Sequence, residues 1–151
     1  MALYTTTAAI PEDAERLADL RVAAMRPSLE AVGRFDLHRA RVRFLDGFSP
    51  EQTQIILFDG TLAGFAVVRE AVDHLYLDHL YVLPEYQGLK IGRAVIHDLQ
   101  RRAQSVSLPV RLMALQGSPA NAFYRRCGFH LRSSDAFDNH YEWRPSVHGG
   151  A

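Results

Sequence analysis

Between Leu80 and Arg93 the chain reads Leu-Tyr-Val-Leu-Pro-Glu-Tyr-Gln-Gly-Leu-Lys-Ile-Gly-Arg. An apolar run ends at Pro84, Gly88 and Gly92 follow, and apolar residues recur at helical spacing from Ile91 onward. A strand passing through a tight loop into a helix gathers unpaired backbone N–H groups around one point. Such a nest binds phosphate. Each charge-assisted hydrogen bond to a phosphate oxygen contributes about 1.5–3 kcal/mol, against about 0.3–1 kcal/mol from the helix dipole, so the amides dominate. The spacing is neither GxxxxGKS/T nor GxGxxG, which argues against a P-loop and against a dinucleotide fingerprint.

The surrounding sequence supplies the elements that must hold this loop. A β-branched run within 3–9 predicts a first strand. Pro11-Glu12-Asp13 opens a helix, where proline and acids favour the first turn. Ala14, Leu17, Ala18, Val22 and Met25 continue it at helical spacing, and Pro27 is expected to stop it. Ser28 is then expected to cap a short second helix over Leu29, Val32 and Phe35, and Asp36 a third reaching Phe48. From residue 54 the period falls to two. Strands are predicted at 54–58 and 62–71, joined by the hairpin pair Asp59-Gly60, and at 75–83. The helix from Ile91 runs to Val106, a strand follows at 108–115, and a short helix at 119–127 is ended by Gly128. Strands at 129–132 and 139–144 complete the order β-αα-βββ-α-β-α-ββ. This predicts one mixed α/β domain over 1–145, with 146–151 a mobile tail.

Composition narrows the function classes. At 151 residues the chain suits one domain and buries roughly 70% of its unfolded surface without a disulfide or metal. Lys+Arg and Asp+Glu are both 17, and this zero balance argues against a general nucleic-acid or anionic-membrane binder, though not against a local patch. Cys127 is the single cysteine, so no intrachain disulfide forms, and it reads as a small buried residue rather than a nucleophile. There is no CxxC, HExxH or HxH, and His74, His97, His130 and His140 show no ligand spacing, so no metal is expected. No apolar run is long enough to span a membrane and the first residues lack a signal-peptide pattern, which predicts a cytoplasmic protein.

The loop resembles that of the GNAT superfamily of N-acetyltransferases, in which a strand is followed by Arg/Gln-x-x-Gly-x-Gly/Ala at the start of a helix. Leu80-Tyr81-Val82-Leu83-Pro84, Gln87 and Gly92 match that pattern. Asn121-Ala122-Phe123-Tyr124-Arg125-Arg126-Cys127-Gly128-Phe129 is similar to a second family motif, and the order of elements agrees from residue 3 to about 144. One position departs: Lys90 stands where the family has its first loop glycine.

The resemblance implies a mostly antiparallel sheet of about seven strands, splayed into a V between the fourth and fifth. It implies acetyl-coenzyme A as co-substrate and no metal. The co-substrate would be bound by Gln87, Gly88, Leu89, Lys90, Ile91, Gly92 and Arg93 and by the backbone of Leu80, Tyr81 and Val82. The amide of Val82 or Leu80 would polarise the thioester carbonyl. Asn121 would hold the pantetheine arm or the local backbone, and Phe123 would pack in the core or against the coenzyme.

The chemistry needs two proton transfers. An alkyl ammonium with a pKa near 10.4 costs about 4–5 kcal/mol to deprotonate at pH 7, so a base acting through water is the larger need. Asp78, two residues before Leu80 on the same strand face, is the candidate; His79 falls on the opposite face by alternation. The departing thiolate needs less help, and Tyr124 matches the tyrosine that protonates it in many family members.

The region between Pro11 and Phe48 is where the family forms its acceptor pocket. Glu30, Arg34 and Phe35 are candidate substrate-binding residues there, Arg34 or Arg39 for a carboxylate and Glu30 for a cationic amine. The run Arg39, Arg41, Arg43 also reads as a solvated helix face, and His140-Tyr141 on the last strand could reach the acceptor site, although no motif there shows it. The leading expectation is acetylation of a small-molecule amine or amino-acid derivative. The alternatives are a protein or peptide N-acetyltransferase and a non-catalytic acyl-coenzyme A sensor; modification of charged transfer RNA is disfavoured by the neutral charge. A homodimer through the C-terminal strands is a family expectation.

Overall fold

In the computed structural model, which describes residues 4–147, turn chemistry and periodicity account for most of the elements. Strand β1 is Thr5–Ala8, followed by helices α1, Ala14–Ala31, and α2, Leu37–Asp46. Strands β2, Thr53–Phe58, β3, Thr61–Glu70, and β4, Leu75–Val82, come next. Helix α3, Ile91–Val106, strand β5, Val110–Leu115, helix α4, Ala120–Arg126, and strands β6, His130–Ser134, and β7, Asp138–Trp143, follow. Asp59 and Gly60 both have positive φ, 52° and 80°, as the two-residue turn joining β2 to β3 requires. The part of the predicted tail beyond residue 147, like residue 3 of the predicted first strand, lies outside the described residues.

The strands form one seven-stranded sheet in the order β1-β2-β3-β4-β5-β7-β6. β1–β2, β2–β3, β5–β7 and β6–β7 are antiparallel, and β4–β5 is parallel. The parallel register pairs Leu75 with Val110 and Tyr76 with Arg111.

The chain groups into two compact units, one holding the residues up to Val67 with His79–Gly92, the other Val68–Asp78 with the residues from Arg93. In the first unit, Leu17, Ala18 and Leu20 of α1 and Phe44 of α2 bury against Ile55 and Phe65. Each large apolar side chain so buried contributes about 1.5–3 kcal/mol. A backbone contact is equally important. A Cβ on Gly64 would sit 2.0 Å from the Tyr81 carbonyl oxygen, so only glycine allows β3 and β4 to approach this closely.

Helix α1 corrects the expected break at Pro27: it runs through that residue, and Ser28 lies inside it rather than capping a second helix. An internal proline loses one backbone hydrogen bond and costs about 3 kcal/mol in a free helix. Here the buried N-terminal half fixes the axis, and Arg26 and Glu30 pair across the proline. The C-terminus is closed by Arg34 N–H donating to the Leu29 carbonyl at 2.8 Å, with Gly33 at φ +69°. Asp36 caps α2 as expected, its Oδ1 accepting from Arg39 N–H at 2.9 Å.

In the second unit Leu75, Leu77, Leu99, Leu112 and Tyr141 are buried. Glu142 is buried as well, and Arg111, Arg132 and Arg144 surround its carboxylate at 2.8, 3.4 and 2.7 Å. Burial by itself would raise its pKa, but the three guanidiniums together outweigh burial and hold it below the usual carboxylate value.

Candidate functional site

In the first unit the site comprises β4 from His79 to its end and the loop that follows. Leu75 and Leu77 are buried, whereas Asp78, His79, Leu80, Tyr81 and Val82 are all only half-buried, although β4 is the central strand. A short turn over Pro84–Tyr86 follows, closed by Tyr86 N–H on the Leu83 carbonyl at 2.9 Å and Gln87 N–H on the Pro84 carbonyl at 3.2 Å. The Gln87 side chain folds back, its Nε2 donating to the Val82 carbonyl at 2.9 Å, so it braces the loop against the strand end.

Gln87, Gly88, Leu89 and Lys90 are exposed, and Ile91 is buried as the apolar anchor of the first turn of α3. The first N–H groups of any α-helix have no intrahelical partner, and here that turn follows an exposed loop. Gly88 has φ +88° and Lys90 φ +65°. A left-handed conformation costs a residue with a Cβ about 1–2 kcal/mol. Lys90 thus holds a left-handed backbone that glycine adopts without that cost.

His79 packs among aromatic rings: its centroid lies 5.3 Å from Phe44, 6.2 Å from Phe65 and 5.7 Å from Tyr81, with Nδ1 3.4 Å from the Tyr81 hydroxyl. The expected acceptor residues are differently engaged. Arg26 pairs with Glu30 through Nε at 3.3 Å and places its guanidinium 4.7 Å from the Phe35 ring centre, so one arginine ties up both. Arg34 is half-buried after α1, Arg39 and Arg43 are exposed, and Arg41 pairs with Glu15 and Asp19 of α1.

In the second unit Asp78 accepts a 2.7 Å hydrogen bond from Arg69 Nε. Tyr124 is buried with its ring edge-on to Phe123 and Phe129, at 5.2 and 5.7 Å. Asn121 is a saturated polar hub. Its Nδ2 donates to the Leu115 and Ser118 carbonyls at 2.9 and 3.0 Å, and its Oδ1 accepts from Asn139 Nδ2 at 2.9 Å and the Tyr141 hydroxyl at 2.8 Å. Two donors and two acceptor sites are all an amide has. The side chain therefore joins α4 to β5 and β7, with none of that capacity left for a pantetheine arm.

Tyr141 is 1% exposed and points inward, against the expectation that it reaches an acceptor; His140 pairs instead with Asp135 at 2.9 Å. Cys127 is buried, and burial pushes its thiol up, with Arg93 and Arg126 opposing more weakly, as an inert cysteine requires. Arg93 is exposed on α3. Sequence reasoning missed Gly64 and Arg21, whose roles come from contacts across the fold and leave no local motif. Among the described residues no cluster of His, Cys, Asp and Glu could hold a metal ion, and no helix is long and apolar enough to cross a membrane.

The sequence matches the family model described as Acetyltransferase (GNAT) family over residues 15–129, and the chain belongs to that family. Its fold is similar to that of the PaiA N-acetyltransferase from Thermoplasma acidophilum in complex with coenzyme A, with TM-score 0.76, 19% identity, and 95% of this chain and 99% of that one covered. It is similar also to the ribosomal-protein-S18-alanine N-acetyltransferase from Escherichia coli, with TM-score 0.72, 18% identity, and 97% and 96% covered. Ard1 from Thermoplasma volcanium gives TM-score 0.69 and 16% identity over 97% and 100%. No curated protein matches the sequence. The protein is thus an acetyltransferase of the GNAT family.

Proposed function

We propose that the acceptor is a primary amine of a small molecule or amino-acid derivative, attacked directly in a ternary complex by a single-domain cytoplasmic enzyme. The observation that carries acetyl transfer is the half-exposed stretch of β4 from Asp78 to Val82, beyond the two residues in register with β5. The exposed loop from Gln87 to Lys90 and the first turn of α3 fit a pyrophosphate, with the Lys90 ammonium near the anion. The short link of five residues between α1 and α2, closed by Gly33 and the Asp36 cap, supports a compact acceptor.

In this reading the amide of Leu80 or Val82 donates to the thioester oxygen and stabilises the charge that develops there. The amine nitrogen bonds to the carbonyl carbon as the carbon–sulfur bond breaks. The amine proton passes through water to a base on β4, Asp78 or His79, and Tyr124 returns a proton to the sulfur. Asn121 and Phe123 hold α4, and thereby Tyr124, in place. Glu30, Arg34 and Phe35 border the acceptor region.

The test is release of free thiol from acetyl-coenzyme A with pooled small amines, amino acids and peptides. Tyr124→Phe should lower turnover roughly 10²-fold, at the low end for a general acid because a thiolate leaves readily, with co-substrate binding retained. Release only with peptides would replace the small acceptor by a protein one. Binding without release in any pool would identify a sensor module.

A further inference from the structure

Lys+Arg is 17 and Lys90 is the one lysine among them; every other member of that set is an arginine. A guanidinium stays protonated and keeps its charge. A lysine amine, once it loses its proton, is acylated to a neutral amide. Of these 17 cations, acylation can therefore switch off one. Lys90 is exposed, and no hydrogen bond or ion pair joins its side chain to another described residue. The fold accordingly loses nothing when that charge is removed.

The place of Lys90 gives the switch a consequence. Between Pro84 and Gly92, all within the first unit, the chain carries two charged side chains, Glu85 and Lys90, both exposed. Their charges cancel while the amine is free. Acylation leaves Glu85 as the only charge on the stretch assigned to a pyrophosphate. One charge-assisted hydrogen bond to a phosphate oxygen tightens binding by about 10- to 100-fold, and an acyl-lysine cannot make it. The same change leaves the acid beside an anionic ligand with no cation of the loop to offset it.

We propose that Lys90 is an acylation site whose modification switches off co-substrate binding at its own loop. The inference rests on the co-substrate reading of that loop and adds its regulation. The modifying donor is an activated acyl group from solution, a thioester or an acyl phosphate. The deprotonated Lys90 nitrogen bonds to the acyl carbonyl carbon as the bond from that carbon to sulfur or to phosphate oxygen breaks. The amine proton passes to water, and the thiolate or phosphate leaves. A pyrophosphate seated in the loop covers the amine, so the empty protein is modified and the loaded one is protected.

The test treats the full chain with acetyl phosphate and follows it by intact mass and peptide mapping, then measures coenzyme A affinity. Lys90 should gain one acetyl group. Coenzyme A at about ten times its Kd should slow that gain about tenfold, as mass action at a shared site requires. The acetylated wild type, and Lys90→Gln with its neutral side chain, should bind coenzyme A about 10- to 100-fold more weakly. Their Tm should stay within about 2 °C of the untreated protein, which separates a lost contact from a lost fold. Lys90→Arg keeps a cation that cannot be acylated, so it should lose no affinity on treatment. No acetyl group on Lys90, labelling that bound coenzyme A does not slow, or an acetylated protein that binds as tightly as the untreated one would each overturn the proposal. Binding that ignores the state of Lys90 leaves the co-substrate reading of the loop standing. If the untreated protein does not bind coenzyme A, that reading fails and the inference falls with it.

Discussion

Replacing Gly64 by alanine sets backbone entropy against sterics, and the structure decides the sign. In an unobstructed strand, alanine for glycine stabilises by about 0.4–1 kcal/mol because the unfolded chain loses freedom. At Gly64 the new methyl would lie 2.0 Å from the Tyr81 carbonyl oxygen and 3.0 Å from the Tyr81 carbonyl carbon and Val82 Cα. Real Cβ contacts essentially never fall below 3.0 Å, so β3 and β4 must part by at least 3.0 − 2.0 = 1.0 Å there. All three obstacles are backbone atoms, so no rotamer change relieves them. Overpacking costs about 1–3 kcal/mol, and a backbone obstacle places this case at the upper end. After subtracting the entropic gain, the net loss is about 2 kcal/mol. At about 2–4 °C per kcal/mol for a chain of this size, Tm should fall by about 4–8 °C, and the urea midpoint should fall with an unchanged slope. Because the displaced peptide joins Tyr81 to Val82, thiol release should drop as well. A Gly64→Ala protein as stable as the wild type, or more stable, would refute the close-approach argument.

Two further outcomes follow from the second unit. Asn121→Ala removes all four hub hydrogen bonds and leaves buried partners unsatisfied, so it should cost about 3 kcal/mol by chemical unfolding, with acetyl-coenzyme A affinity changed less than about threefold; a large affinity loss at unchanged stability would restore the cofactor role. The Asp135 carboxyl is held down at about 2, first by its hydrogen bond with His140 and then by the Phe137 and Asp138 amides. Its folded pKa lies below the unfolded one, so its stabilisation is complete above about pH 4 and disappears as pH falls through about 2. Asp135→Asn should flatten the Tm–pH curve across that window, and identical slopes in both proteins would refute the assignment.

The sequence by itself determined the elements whose causes are local. Asp59-Gly60, the Asp36 cap, Gly128 at φ +91° after α4, and the change of period at residue 54 all act within a few residues, and each element lies where those signals put it. The loop from Gln87 to Gly92 was legible for the same reason, since a strand, a bend and a helix start are consecutive in the chain. Pro27 misled because a local helix breaker is overruled when packing of the preceding half of the helix already fixes its axis. Asn121 has the residue type expected of a coenzyme ligand, but its partners come from β5, the turn before α4, and β7, and only their convergence shows its capacity to be filled. Arg21 and Gly64 carry no signal at all in one dimension. A donor left without an acceptor among the described residues is defined by which groups do not reach it, and a forbidden methyl by which backbone approaches. Both are properties of three-dimensional proximity, so only the tertiary structure could decide them.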